Sequence, residues 1–132
     1  MGMMLVVVAA ALIWPPEVPP AVQTIEQEGR WVLRTNDPAM PLYTHDPDPA
    51  ETATCLGPCA KSRPPLSAPA GAVPVGEWRP IARADGRRQW SFRGKPVYLH
   101  VGDGISVPRG VTSGWRLLPT FDARSGQGEP IR

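Results

Sequence analysis

An all-β fold, a small meander of short hairpins with an internal twofold repeat and long Pro/Gly loops, is predicted by three observations. Eighteen prolines and thirteen glycines in 132 residues oppose long helices, because proline has no amide donor and glycine raises the entropic cost of a helix. Short apolar and β-branched runs are bounded by turn residues, the usual mark of strands. Finally, "PLYTHDPD" and "PVYLHVGD" share one frame, and between them they hold both tyrosines and both histidines of the chain.

The elements follow in order. Residues 1–14, "MGMMLVVVAAALIW", are uninterrupted apolar sequence. As a short helix they would extend roughly 21 Å at about 1.5 Å per residue, less than the ~30 Å hydrocarbon core of a bilayer. That length suits an export signal or a short membrane anchor. No Lys or Arg precedes the run, and no cysteine stands nearby for lipidation. Residues 15–28 begin "PPEVPP", a stiff, extended spacer expected to hold the domain off whatever the head touches.

The β domain is expected over residues 29–121, in two related halves, 29–66 and 77–119, with a polar tail at 122–132. In the first half, Trp31 to Thr35 reads as a strand, "NDP" as a turn, and Pro41 to His45 as a second extended run. In the second, Asp85-Gly86 supplies a hairpin turn, Trp90 and Phe92 share one strand face, "RGK" makes the next turn, and "GWRLLP" closes the sheet. The intervening "CLGPCAKSRPPLSAPAGAVPVG" reads as a long loop, mobile over Ser67 to Gly76.

By the period of two, Tyr43 and His45 project to one strand face, as do Tyr98 and His100. Asp48 and Asp103, three residues beyond each histidine, can accept backbone amides in the following turn. The four Tyr and Asp positions form the repeat signature. Each imidazole fills its corner and hydrogen-bonds a nearby carboxylate or carbonyl. The competing reading is a copper or zinc site that uses His45 and His100 together, with Met40 or the cysteines, since imidazole and soft sulfur suit copper. Cys55 and Cys59 flank a Gly-Pro turn and most simply form a disulfide; a redox-active pair or thiolate metal ligands are the alternatives. Trp31, Trp78, Trp90 and Trp115 are expected in the core, or as a docking patch if exposed.

Several classes of function are disfavoured. The net charge is +2, with acids and bases interspersed, and only "GRRQW" and "FRGK" cluster cations, so nucleic acid is not an expected partner. No glycine-rich phosphate loop opens a helix, so no nucleotide is expected. Ser91, Ser106 and Ser113 stand outside any nucleophile-elbow context, and the chain is expected to be non-enzymatic.

Beyond these readings, "LYTHDPD", "CLGPCAKSRPPL", "RADGRRQWSFRGKPVY", "HVGD" and "GWRLLP" together resemble a bacterial family of predicted exported lipoproteins with a secreted repeat and a Tyr-x-aromatic-x-x-Asp signature. The resemblance covers about Gly29 to Pro119. Here His45 and His100 stand at the aromatic position, and Arg63 stands where the family usually has Trp. The resemblance implies export and a small β domain; the family's biochemical role is uncharacterised. The expected function is therefore a periplasmic or otherwise extracytoplasmic, membrane-associated accessory or binding module. It would be a small subunit of an electron-transfer or photosynthetic membrane complex. A metal or redox protein of the envelope is the alternative.

Overall fold

The computed structural model describes residues 14–124. The apolar head, apart from Trp14, and the tail beyond Arg124 lie outside the described residues, and the expected N-terminal helix falls there. What is described is mostly β, in two antiparallel sheets with one short helix.

The first sheet has three strands, ordered β1 (Val22–Gln27), β2 (Arg30–Thr35) and β8 (Phe121–Asp122). Glu28 and Gly29 join β1 to β2 with positive φ values of 51° and 79°, and Gln27 faces Arg30 across them. This two-residue loop matches the right-handed twist of the flanking strands. The second sheet has five strands in the order β4 (Trp78–Ala82), β5 (Arg88–Phe92), β6 (Lys95–Tyr98), β3 (Tyr43–His45) and β7 (Trp115–Leu117). Arg93 and Gly94, again both at positive φ, close the β5–β6 hairpin with Phe92 opposite Lys95.

Three expectations give way here. The sheet is not a simple meander, because β3 leaves its sequence neighbour β2 and sits between β6 and β7. The two expected halves therefore interlock instead of forming separate hairpins. Residues 15–28 are not a free spacer: Pro19 and Val22 are buried, Val18 packs on the core, and Val22 to Gln27 are strand β1. Val18, Ala21 and Val22 give this stretch a buried side that its prolines mask. The loop after the cysteines is held in two ways. Pro58–Ser62 forms helix α1 with proline in its first turn, where the missing amide costs nothing. Further on, β5 and β6 diverge and residues 64–68 wedge between them. Leu66 N–H donates to Val97 O and Leu66 O accepts from Trp90 N–H. Ala68 N–H donates to Arg88 O, so the expected mobile stretch is pinned along β5.

The main core gathers Leu33, Leu42, Trp78, Trp90, Phe92, Val97 and Phe121. Burying an aliphatic or phenyl side chain such as Leu33 or Phe92 contributes about 1.5–3 kcal/mol. Strand β5 is buried on both faces. Its polar members are satisfied internally: Gln89 donates to Val97 O and accepts from Arg83, and Ser91 donates to Arg79 O.

Candidate functional site

The strand exchange sets Tyr43 directly opposite Tyr98, and from this pair two corners are built that close on each other. Each tyrosine reaches past its own aspartate. The Tyr43 hydroxyl donates to Asp103 at 2.6 Å, and the Tyr98 hydroxyl donates to Asp48 at 2.7 Å. The histidines stay local, with His45 Nδ1 3.2 Å from Asp48 and His100 Nδ1 3.0 Å from Asp103. An ionised carboxylate only accepts, so each Nδ1 carries the proton. Each imidazole then sits edge-on to the other segment's tyrosine, His45 to Tyr98 at 6.4 Å and His100 to Tyr43 at 6.2 Å.

The backbone repeats the plan. Six residues beyond each aspartate an amide donates to it, Thr54 N–H to Asp48 at 3.0 Å and Arg109 N–H to Asp103 at 2.6 Å. The next residue hydrogen-bonds a tyrosine hydroxyl, Gly110 N–H to Tyr43 and the Cys55 backbone to Tyr98. The expectation that Asp48 and Asp103 accept turn amides thus describes one part of a larger crossed network.

Burial first, then the hydrogen bond to Asp103, raises the Tyr43 hydroxyl to about 12. Tyr98 is raised further by burial and by Asp48. For Asp103, burial is the largest single influence and pushes upward. Tyr43, His100 and the Arg109 amide together outweigh it and hold the carboxyl below its ordinary value.

The corners differ in what surrounds them. His45 stacks on Trp115 with centroids 4.1 Å apart. The guanidinium of Arg63 lies 4.3 Å from the Trp115 ring centre and 5.2 Å from that of Tyr43. Arg63 is buried and donates to Gly110 O and Thr112 Oγ1. A planar cation thus packs on aromatic faces. Gly110 allows the close approach: a side chain there would meet Arg63 Nη1 at 2.6 Å and His100 at 2.8 Å. No motif marks Gly110, Thr54 or Arg109 in the sequence; the matching offset of six from each Asp to Thr54 and Arg109 is the available signal.

Cys55 and Cys59 form the expected disulfide, which contributes about 2 kcal/mol by closing a short loop. It ties the Cys55 segment, whose carbonyl also accepts from the buried Arg83, to helix α1. The sulfurs are therefore not thiolate ligands. His45 ends strand β3 and His100 lies two residues past the end of β6, so the chain carries them away from the Tyr43–Tyr98 pair in opposite directions. The two imidazoles of the copper or zinc reading are each held in their own corner, His45 by Asp48 and His100 by Asp103. Among the described residues, no group of three or more His, Cys, Asp or Glu side chains is placed to hold a metal ion.

Of the four tryptophans expected in the core, Trp78 and Trp90 are buried, Trp31 packs partly exposed on the main cluster, and Trp115 packs on the Tyr98 cluster. Among the described residues no helix is long and apolar enough to cross a membrane. No protein-family model, curated protein or solved structure matches the chain.

Proposed function

We propose that this protein is an extracytoplasmic, membrane-associated, non-enzymatic binding module that serves as a small accessory subunit of a membrane complex, of electron-transfer or photosynthetic type. One observation carries the reading. The tyrosine hydroxyls and histidine Nδ1 atoms of both Tyr–His–Asp sets are engaged in internal hydrogen bonds that link the two sets, which suits a scaffold better than a reacting centre.

What the scaffold presents is a loop. Asp103 bonds His100 and the Arg109 amide within residues 100–109 and anchors that loop to Tyr43; Val101, Ile105 and Val107 on it, and Val111 just beyond it, are 46–66% exposed. Rigid presentation of apolar side chains lowers the ordering cost of binding a protein surface. Export is supported by the pairing of the chain's two cysteines in one disulfide, a bond that persists in oxidising compartments, and by the resemblance to exported repeat lipoproteins. Membrane association is supported by the apolar sequence of residues 1–14.

Deleting residues 1–14 is expected to move the protein from the membrane pellet to the supernatant on fractionation of the producing cells. Unchanged sedimentation with membranes after the deletion would contradict the anchoring role.

A further inference from the structure

A second apolar surface lies beside the point where the described chain begins. A groove of about 600 Å³ is lined by Pro20, Ala21, Pro69, Ala72, Val73 and Trp90 among others. Val73 at its edge is 66% exposed, and Trp14 is 92% exposed. The two belong to one region of the molecule. Glu17, three residues beyond Trp14, lies so close to the loop bearing Val73 that a side chain at Gly76 would meet its Cβ at 3.0 Å. The loop itself is fixed, since Val75 and Trp78 exchange backbone hydrogen bonds. The segment that follows Trp14 therefore runs along this apolar surface, with Glu17 against the Gly76 loop and Pro20 and Ala21 in the groove lining. Next to the groove, a shallow depression carries Arg79 and Arg88 with Glu51, so guanidinium groups flank the apolar edge.

We infer that this face rests on a lipid bilayer, with Trp14 at the headgroup level, Val73 and the groove rim against the acyl boundary, and Arg79 and Arg88 toward lipid phosphates. The inference rests on the membrane-associated reading and gives it an orientation. Interfacial binding strengthens with the apolar area buried at the boundary. Tryptophan, with an apolar ring and one N–H, favours that depth.

The test uses the full chain with its disulfide intact and an environment-sensitive fluorophore at Val73→Cys or, as an equally apolar control on the other loop, at Val111→Cys. Each is mixed with phosphatidylcholine vesicles that carry, or lack, a nitroxide quencher in the acyl chain. The expected result is a blue-shifted, several-fold brighter signal at position 73 that the acyl nitroxide quenches, with position 111 unchanged. Chain that floats with the vesicles while position 73 stays in water overturns the orientation but leaves membrane association standing. Chain that fails to float overturns both. A signal at position 73 already shielded without vesicles places protein, not lipid, on the groove and also overturns the inference.

Discussion

Replacing Asp48 with alanine is expected to lower the unfolding free energy by about 3–5 kcal/mol, the range for removing one partner from a buried charged network. The Asp48 side chain is fully buried and accepts from the Tyr98 hydroxyl, the Thr54 amide and hydroxyl, and His45. Alanine leaves those donors without a partner inside the protein, and each stranded buried donor costs about 1–3 kcal/mol. Asp103→Ala is expected to cost less. It accepts three such bonds instead of four, and the exposed residues that follow it can readjust toward water. Denaturant midpoints of the two variants, compared with wild type at equal slope, measure the order. A loss at Asp48 below about 1 kcal/mol, the scale of ordinary substitutions, would mean that the corner is not a structural keystone.

The second large effect is alkaline unfolding. Tyrosine ionises near 10.0 in an unfolded chain, whereas Tyr43 is raised to about 12 in the folded protein, and Tyr98 is also raised. A group whose folded value is raised contributes stability that is intact below its unfolded value and is lost as pH climbs through the folded one. Stability should therefore hold up to about pH 10 and fall steeply toward about pH 12. Because these are the chain's two tyrosines, tyrosinate absorbance reports them without interference. It should lag behind free tyrosine and then rise together with the loss of circular dichroism. Ionisation of both rings near pH 10 with the fold intact would refute the prediction. Asp103 works in the opposite sense: its folded value is depressed, so its contribution is present above the unfolded value and lost as pH falls through the folded one.

The residues legible in the sequence are those whose roles are local. Trp90 and Phe92 share a buried face because strand geometry alternates. Arg93-Gly94 makes its turn because the two-residue hairpin needs positive φ. Cys55 and Cys59 pair because they are four residues apart, and His45 finds Asp48 within one turn of chain. What is not legible is set by which strand β3 chooses. Tyr43 and Tyr98 stand in matching frames, and nothing within either frame states that each hydroxyl will satisfy the other frame's carboxylate. That crossing follows from β3 pairing with β6, a contact between residues more than fifty positions apart. The same non-local choice decides that His45 and His100 belong to separate corners. Residues 15–28 mislead for a different reason. Proline argues for an extended spacer, yet an extended chain is also what an edge strand needs, and β1 begins two residues after Pro20.

Coupling of tyrosines and aspartates across the two segments is the central claim, and double-mutant cycles measure it directly. Tyr98→Phe combined with Asp48→Asn is expected to show a coupling energy of about 1–3 kcal/mol, as contacting groups in one network do. Tyr98→Phe combined with Asp103→Asn should be additive within about 0.5 kcal/mol. Coupling that is larger between Tyr98 and Asp103 than between Tyr98 and Asp48 would contradict the crossed arrangement.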